Sequence, residues 1–426
     1  MEETVAENSP AASVARTLPQ VQSGPGAGPA LRLKGKRTGM VVFSQYPSDP
    51  RPRRTIEALV KEGMEIDLIC EADENVPQRE KKGLLDVTRI PIKHFRGGFL
   101  SYAYQYSTFL VVSAWILAWR RMSKRYDLIY VHNMPDFLVF CALVPRLLGA
   151  RVILDQHDPM PELMQTIFKK DEKSFPVRVL KVLEKVSLAF ANKVITVNVA
   201  CKRIFSERSC NADKVGVVMN APDDSIFPFR PANAHPVRDS QAPFVIMYHG
   251  SLVDRNGLGL AVDALALVGQ RISKAELRIF GKKTPYLEAV MAKVKDLGLE
   301  DKVHYLGPRS LEKLVGEIES CDVGVIPNPL NTFTEINTPT RIFEYLTLGK
   351  PVIAPSTLGI RDYFEPGTLF FFDPGNAEDL ATKLVEVASD RSEAVRVAER
   401  GQEVYRAHSW QQEKETLIGL VLAALA

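Results

Sequence analysis

The sequence predicts an α/β fold made of two doubly wound domains, each with a mostly parallel sheet. Two observations carry this prediction: short β-branched runs alternate with amphipathic segments, and the alternation stops at a proline-rich stretch before it starts again. Strands that alternate with helices are typical of parallel sheets covered on both faces. The chain has 426 residues, 46% of them apolar, which is enough to bury two cores.

The first series of strands and helices defines an N-terminal domain over residues 38–220. Its strands are predicted at 40–44, 65–70, 127–132, 151–155 and 193–197, with crossover helices at 55–61 and 134–148. Residues 1–37, rich in Ala, Ser, Gly and Pro, are predicted to be a disordered extension. Ligands of such sheets lie beyond the carboxyl ends of the strands, so the residues that follow each run are the binding candidates.

The second series defines a C-terminal domain over residues 244–400. It follows a linker, residues 221–243, that contains five prolines and no convincing periodicity. Its strands are predicted at 244–249, 277–280, 303–306, 323–326, 352–354 and 369–372. Residues 401–426 end the chain, and from Trp410 onward they are apolar at helical spacing.

Composition excludes several functional classes. With 54 Lys and Arg against 51 Asp and Glu, the net charge of +3 argues against a dedicated nucleic-acid binder. The five scattered cysteines form no CxxC pair and the acidic start is unlike a secretory signal, so we expect a cytoplasmic protein. Neither series has the GxGxxG turn that is typical of a dinucleotide-binding unit, which argues against a dehydrogenase.

One apolar segment raises the question of membrane contact. Residues 109–119 carry no charge and are followed by Arg120, Arg121, Lys124 and Arg125. A transmembrane helix needs about 20 apolar residues, so this run is too short to span. It fits either a buried helix with a basic end or a helix at the surface of an anionic membrane.

The most informative segment lies between residues 337 and 353. Thr338 is placed to cap a helix whose first turn contains Pro339, and Gly349 is placed to end it. Free amides at a helix start form an anion site suited to a diphosphate. About one and a half turns into the helix, Glu344 is placed to accept two hydrogen bonds from a sugar diol, whereas the plain alternative is an ordinary capped helix with a surface carboxylate.

This segment resembles the donor-site motif of the retaining glycosyltransferases of family 4. The supporting stretches follow in the family's order: 42–51 after the first strand, then 130–133, 155–158 and 248–252. The resemblance covers residues 38–426. It implies the GT-B arrangement, in which two Rossmann-like domains face a central cleft and the C-terminal helix crosses back to the first domain. It also implies a nucleotide-diphosphate sugar as donor and no bound cofactor.

The family motif implies roles for the donor-site residues. Glu344 matches the second glutamate of the family's pair and would bind the nucleotide ribose, with Thr338 and Thr340 beside the diphosphate. The first glutamate of the pair, which contacts the donor sugar, falls at Ile336, one place after Glu335. Either an insertion of one residue keeps Glu335 in the catalytic role, or backbone amides hold the sugar.

The family's diphosphate cations are replaced in this chain. The usual Arg and Lys positions after the first strand of the second domain read Ser251 and Asn256. Expulsion of a nucleoside diphosphate builds charge that a cation must stabilise, so we nominate Arg255 first and Lys282 second. Gly250 and Ser251 complete the donor-binding set. Because the sequence has no Asp-x-Asp pair, we predict transfer without a metal ion.

Two histidines are predicted at the cleft edge because each follows a strand. His132 resembles the family histidine that contacts the donor sugar and is assigned a catalytic role, while His157 and Asp158 would face the acceptor. Arg51, in a basic segment with Arg53 and Arg54, would hold an anionic acceptor such as a lipid-linked pyrophosphate, unless these charges only form a solvated helix start.

These observations predict a retaining glycosyltransferase of hexosyl type. It would transfer a sugar to a hydroxyl of a lipid-linked or surface-polysaccharide precursor, with peripheral contact to the inner face of the cell membrane and no nucleic-acid partner. Two alternatives remain open at this stage: a nucleotide-sugar epimerase of the same architecture, and a catalytically silent protein that binds nucleotide sugars.

Overall fold

A computed structural model of the chain contains two α/β sheets, as the sequence predicts. The structure describes residues 31–73, 76–92, 99–122, 124–234, 242–272 and 274–426. Most of the predicted extension, residues 1–30, and the linker residues 235–241 lie outside this part of the chain.

The first sheet is formed by residues 37–217. Its strands are β1 (Arg37–Gln45), β2 (Glu65–Glu71), β3 (Arg79–Lys82), β4 (Leu85–Ile90), β5 (Leu128–His132), β6 (Arg151–Gln156), β7 (Lys193–Thr196) and β8 (Val215–Val217). Its helices are α1 (Pro50–Lys61), α2 (Phe99–Arg121), α3 (Leu143–Leu147), α4 (Met160–Phe168), α5 (Phe175–Phe190) and α6 (Val199–Arg208).

The strand order of this sheet is β3-β4-β2-β1-β5-β6-β7-β8, and only the edge strand β3 pairs antiparallel. The chain runs outward from β1 to one edge and then returns to β5 on the other side of β1. The loops after β1 and β5 therefore open a crevice at the carboxyl ends of the strands, where doubly wound sheets bind ligands.

The second sheet is formed by residues 244–372 and is wholly parallel. Its strands are β9 (Phe244–His249), β10 (Ala275–Phe280), β11 (Val303–Gly307), β12 (Val323–Val325), β13 (Val352–Pro355) and β14 (Phe370–Phe372). The helices of this half are α7 (Leu258–Val268), α8 (Pro285–Asp296), α9 (Leu311–Glu319), α10 (Thr340–Thr347), α11 (Leu358–Arg361), α12 (Ala377–Ser389), α13 (Arg391–Ala407) and α14 (Trp410–Leu425).

The second sheet has the strand order β11-β10-β9-β12-β13-β14. This is the 3-2-1-4-5-6 order of a Rossmann fold, whose switch point lies between its first and fourth strands. The loops after β9 and β12 meet at that point. They contain Gly250 and the segment that leads into α10, so the predicted donor motif lies where the topology places a ligand.

Three features of the first domain differ from the predictions. The hairpin β3–β4 and the short strand β8 were not predicted, because β3 consists of charged residues, β4 is interrupted by Asp86 and Arg89, and β8 has only three residues. The segment predicted as one helix, 134–148, is a 3₁₀ helix over Asp136–Ala142 followed by the five-residue α3. Helix α1 begins at Pro50, inside the segment expected to be a loop.

The two ends of the described chain also differ in detail from the predicted boundaries. Leu33 is fully buried and Arg32 pairs with Glu62 and Glu415, so residues 31–37 belong to the folded body. The terminal segment 401–426 is not one helix, since α13 ends at Ala407 and α14 starts at Trp410. Helix α14 packs into the core of the first domain through Leu417, Ile418 and Val421.

Direct hydrogen bonds join the two domains beside the α10 segment. Asn198, which caps α6, donates from Nδ2 to the carbonyl of Ile336 at 2.8 Å and to Thr338 Oγ1 at 3.2 Å. Thr166 of α4 donates to Asn331 Oδ1 at 3.0 Å. The segment between β12 and α10 is therefore held against the first domain on both sides.

Helix α2 contains the apolar run 109–119, and the structure divides it between two environments. Phe109 and Leu117 are fully buried against the sheet. Val111, Trp115 and Trp119 are about two-thirds exposed and lie on one outer stripe, with the two indole rings stacked at 6.0 Å. None of the described helices combines the length and the hydropathy needed to cross a bilayer.

Candidate active site between the domains

The donor side of the cleft centres on Glu344, the glutamate of the predicted motif. His249, the last residue of β9, lies with Nε2 at 2.6 Å from Glu344 Oε2 and with Nδ1 at 2.9 Å from the hydroxyl of Tyr345. That hydroxyl donates to the carbonyl of Met247 at 2.8 Å. This chain of contacts fixes one carboxylate oxygen of Glu344 and leaves Oε1 without a hydrogen bond within the described residues.

Arg341, in the first turn of α10, brings a cation to the same site. Its guanidinium donates from Nη1 to the carbonyl of His249 at 3.0 Å and stacks on the ring of Tyr248 at 4.8 Å. A Cβ at Gly250 would lie 3.3 Å from Arg341 Cδ, and a Cβ at Gly281 only 2.2 Å from the carbonyl oxygen of Gly250. The backbone therefore approaches closely here because both positions lack side chains.

The start of α10 differs from the predicted capping. The N-cap is Pro339, with no side-chain capping bond. Thr338 Oγ1 instead donates to the carbonyl of Gly359 at 2.6 Å and accepts from Asn198, so Thr338 joins the loops rather than caps the helix. The first amides of α10, beginning with Thr340, remain available to an anion by helix geometry.

The position of the family's first glutamate is occupied by a buried apolar residue. Ile336 is 6% exposed and packs with the core of the first domain. The neighbouring carboxylate of Glu335 accepts a hydrogen bond from the amide of Leu358 at 3.3 Å. Glu335 is therefore oriented by the start of α11, and its catalytic role stays a prediction.

The cations nominated for the diphosphate lie in two places. Arg255 follows β9 in a short 3₁₀ turn, and Lys282 is exposed after β10. Ser251 is exposed, and its carbonyl accepts from the side-chain Nδ2 of Asn256 at 2.8 Å and from the hydroxyl of Tyr248 at 2.9 Å. The two positions that lack the family's cations thus stabilise the loop after β9.

On the opposite domain, Asp155 organises a buried polar cluster at the end of β6. Arg51 Nη2 lies 2.5 Å from Asp155 Oδ1, and the hydroxyl of Tyr130 donates to Oδ2 at 2.9 Å. Burial alone would raise the pKa of Asp155, but the Arg51 guanidinium and the hydrogen bond from His132 hold that pKa well below its usual range. Asp155 is therefore a carboxylate at neutral pH.

The two predicted histidines meet above this carboxylate. His132 Nδ1 lies 3.0 Å from His157 Nε2 and 3.3 Å from Asp155 Oδ2. A carboxylate only accepts hydrogen bonds, so we assign the His132 proton to Nδ1. Burial and the nearby Arg51 hold the pKa of His157 well below its usual value. His157 is therefore neutral at pH 7.

Exposure separates the two histidines. His132 is completely buried, whereas the side chain of His157 is 18% exposed. The structure therefore places His157 at the cleft surface and His132 beneath it. His132 orients His157 through Nδ1, while its Nε2 has no hydrogen-bond partner among the described residues, and the predicted contact of His132 with the donor sugar stays a prediction.

Asn133 positions the loop that carries His157 and Asp158. Its side-chain oxygen accepts from the amide of His157 at 2.7 Å, and its Nδ2 donates to the carbonyl of Asp158 at 3.1 Å. Burial raises the pKa of Asp158, while Arg255 and Arg51 oppose that rise. The pKa of Asp158 is thus influenced by one guanidinium from each domain.

The structure corrects the interpretation of the basic segment on α1. Arg51 is 8% exposed and also donates to the carbonyl of Val218 and to Asn220 Oδ1, both at 3.0 Å. Arg54 is equally buried, donates to the carbonyl of Ala221, and burial lowers its pKa to about 10. These guanidinium groups stabilise the first domain from within, so Arg51 is not placed to bind an acceptor.

One group of side chains has the spacing of a metal site. Nδ1 of His132, Nε2 of His157 and Oδ2 of Asp155 lie 3.0 to 3.9 Å apart. However, both oxygens of Asp155 already have partners, and the Arg51 guanidinium supplies the positive charge that a metal ion would bring. The other ring nitrogen of His132, Nε2, is buried without a hydrogen-bond partner in the described part of the chain.

Sequence reasoning missed three contributors to the site: His249, Arg341 and Asp155. His249 and Asp155 lie at or beside the carboxyl end of a strand, which is the signal that singled out His132 and His157. Arg341 is three residues before Glu344 in the motif and so shares its face of α10. The position at a strand end could have identified His249 and Asp155, and the helical spacing could have identified Arg341.

Comparisons with known proteins agree with this geometry. Residues 243–390 match the family model described as glycosyl transferases group 1, and residues 49–221 match the model of a glycosyl transferase 4-like domain. No curated protein matches the chain significantly in sequence.

Solved structures share the fold at low sequence identity. Sucrose-phosphate synthase from Thermosynechococcus elongatus superposes with a TM-score of 0.72 at 19% identity, covering 91% of this chain and 98% of that one. A glycosyltransferase from Rickettsia africae gives 0.68 at 16% identity, covering 92% and 98%. Anabaena HepE in complex with UDP-glucose gives 0.65 at 17% identity, covering 91% and 99%. These likenesses confirm the predicted GT-B fold.

Proposed function

This chain belongs to the group 1 glycosyltransferases, and from that premise we propose that it transfers a hexosyl group, with retention, from a UDP-sugar to an acceptor hydroxyl. The acceptor we propose is a lipid-linked or surface-polysaccharide precursor. The observation that carries the proposal is the placement of Glu344 and Arg341 at the switch point of the second sheet, where both are held by His249.

The donor fits the second domain. The free oxygen of Glu344 is placed to accept hydrogen bonds from the ribose hydroxyls, because His249 fixes the other oxygen. The loops after β9 and β10 pack closely at Gly250 and Gly281, and beside them the first amides of α10 and the Arg341 guanidinium would bind the diphosphate. UDP is our choice of nucleotide because the HepE structures hold UDP and UDP-glucose.

The acceptor reaches the sugar from the first domain. In the transfer, the acceptor oxygen bonds the anomeric carbon, the bond from that carbon to the diphosphate breaks, and the diphosphate leaves with the electron pair. The hydroxyl proton passes to the departing diphosphate, which Arg341 and Arg255 stabilise. His157, neutral at pH 7, is placed to hydrogen-bond the acceptor hydroxyl.

The transfer assay separates this function from its alternatives. UDP-glucose is incubated with membrane-extracted acceptor lipid, with and without EDTA, for wild type, Glu344→Ala and Glu344→Gln. We expect UDP release and labelled acceptor lipid from wild type, unchanged by EDTA, and a loss of about 100-fold or more in both variants, since two charge-assisted hydrogen bonds to the ribose are lost.

Glu317→Gln is the matched control, because Glu317 is a partly buried, ion-paired carboxylate of the same domain outside the cleft. It should retain full activity. Recovery of an epimerised UDP-sugar would identify the isomerase instead, and UDP binding without turnover would identify a silent binding protein. Full activity of Glu344→Ala would refute the donor site, and loss of activity in EDTA would refute metal-independent transfer.

Peripheral membrane contact is the second part of the proposal. The outer stripe of α2 continues onto α3, where Leu147 is 77% exposed, and the same helical layer includes α5, where Phe175 is 78% exposed. Exposed Arg178 and Lys185 lie among the apolar residues of α5, and both are without an ion pair in the described chain. A surface that mixes aromatic and aliphatic side chains with cations fits the interface of an anionic bilayer.

Co-sedimentation with vesicles tests this surface. We expect wild type to bind phosphatidylglycerol vesicles at low salt, to bind less at high salt, and to ignore phosphatidylcholine vesicles. Trp115→Ser with Trp119→Ser should abolish binding. The control pair Leu267→Ser with Leu297→Ser removes exposed apolar residues of the second domain and should bind like wild type. Equal binding by the tryptophan variant would refute the proposed surface.

A further inference from the structure

A pocket of roughly 760 Å³ opens between the two domains beside the reaction site. The first domain lines it with the end of α4 and the residues that follow, including Ile167, Lys169 and Lys170. The second domain lines it with Arg255 and with the segment that contains Pro329 and Asn331. Its volume is that of a site for a molecule of sugar-phosphate size or larger.

Cations dominate the charge of this pocket. Lys169, Lys170 and Arg255 outnumber the two lining carboxylates, Asp171 and Asp254. Asp171 already accepts a hydrogen bond from the amide of Lys173 at 2.8 Å. In the part of the chain that the structure describes, none of the three cations forms an ion pair. Like charges that converge on an open pocket are stabilised when an anion binds between them.

Helix α4 connects this pocket to the loop that carries His157 and Asp158. Asp158 precedes this nine-residue helix, and Lys169 follows it. At 1.5 Å per residue, the helix separates the two positions by about 12–15 Å. That span matches one hexose with a phosphate or diphosphate attached.

The outer end of the pocket is apolar. Ile167 lines it and Phe168 is its neighbour, and these side chains are 47% and 56% exposed. Helix α4 packs on α5, which belongs to the surface proposed to face the membrane. The apolar part of an acceptor would thus meet Ile167 and Phe168, and its phosphate would meet the two lysines that directly follow them.

We propose that this pocket binds the phosphate or diphosphate ester of the acceptor, with Lys169 and Lys170 of the first domain and Arg255 of the second around it. The assignment rests on the proposed transfer, and it moves the acceptor's anion site from the buried α1 arginines to the end of α4. Two sources share this chemistry: a prenyl diphosphate carrying a sugar, and a soluble sugar phosphate.

Calorimetric titration in the presence of saturating UDP tests the pocket without requiring turnover. The probes are farnesyl diphosphate and glucose 6-phosphate, each titrated into wild type and into the double variant Lys169→Ala with Lys170→Ala. The control is Lys295→Ala with Lys313→Ala, which removes two exposed lysines from the second domain. The affinity of each protein for UDP is measured in parallel, so a failed donor assignment is recognised separately.

We expect at least one probe to bind wild type with an affinity that falls about tenfold or more in the lysine variant, as charge-assisted contacts are lost, while the affinity for UDP stays constant. Farnesyl diphosphate alone would identify a lipid-linked acceptor, and glucose 6-phosphate alone a soluble one. Either supports the site. Binding of neither probe, or equal affinity in wild type and the lysine variant, would overturn it even if UDP binds normally.

Discussion

Replacement of Arg51 by Met distinguishes a buried structural cation from an acceptor ligand. The substitution keeps most of the side-chain volume, removes the guanidinium and leaves Asp155 without its charge partner. Asp155 is 1% exposed, so water cannot replace the lost contact without a rearrangement of the strand end. The structure therefore predicts a large loss of stability, whereas an acceptor-binding role predicts a changed acceptor KM with stability preserved.

The magnitude follows from the contacts of Arg51. Removal of one partner from a buried ion pair costs about 3–5 kcal/mol. The carbonyl of Val218 and the amide oxygen of Asn220 also lose a donor, at about 1 kcal/mol each where no water replaces it. Protonation of Asp155 limits the total, because a neutral carboxyl tolerates burial. We expect the free energy of unfolding to fall by about 4 kcal/mol.

Urea unfolding followed by tryptophan fluorescence measures this loss, since Trp410 packs beside the same core. Arg53→Met is the matched control: Arg53 is the neighbouring arginine of α1, and its ion pairs with Glu57 and Asp223 are long, at 3.9 and 4.0 Å. The control should lose about 0.5 kcal/mol or less. A loss below about 1 kcal/mol for Arg51→Met, together with a raised acceptor KM, would refute the structural role.

Two further predictions concern the close contact between Gly281 and Gly250 and the pKa of His157. Gly281→Ala places a Cβ 2.2 Å from the carbonyl oxygen of Gly250, so we expect calorimetry to show about a tenfold or greater loss of UDP affinity. The control is Gly316→Ala, whose Cβ would meet nothing within 4 Å and which should bind UDP normally. An unchanged affinity in Gly281→Ala would contradict the close approach at the donor site. The folded protein holds the pKa of His157 below its unfolded value of about 6.5, so the unfolded chain binds more protons below that pH and stability falls as the pH drops. His157→Gln should flatten the pH dependence of the unfolding free energy between about pH 6.5 and 5, by up to about 1.4 kcal/mol per pH unit, and an identical slope in both proteins would contradict the depressed pKa.

The sequence predicted the strands of the second sheet better than it predicted the polar clusters. Strand β9 begins and ends as predicted, because a buried parallel strand is a short apolar run whose ends are visible in the sequence. The irregular segment 134–148 failed as a helix prediction, since its apolar residues fit either a 3₁₀ or an α geometry. The local sequence pattern predicts an element correctly where one continuous apolar run forms one strand or one helix.

Pairs of distant residues could not be predicted in the same way. Arg51 and Asp155 are 104 positions apart, and nothing near Arg51 distinguishes a guanidinium that will be buried from one that will be solvated. The same holds for α2, where one apolar run supplies both the buried Phe109 and the exposed Trp115. The sheet that packs against a helix decides whether a cation in its first turn is buried and which face of an apolar helix is buried.

The loss of two family cations at Ser251 and Asn256 is explained by where the structure places Arg341. A departing diphosphate needs positive charge close to the loop after β9, whichever element supplies it. The Arg341 guanidinium reaches that loop from α10, bonded to the carbonyl of His249 and stacked on Tyr248. An arginine at position 251 would bring a second guanidinium to the same loop, and the two like charges would repel each other. The small Ser251 and the charge of Arg341 are therefore complementary, and in the proposed donor site Arg341 would supply the cation that the two neutral positions lack.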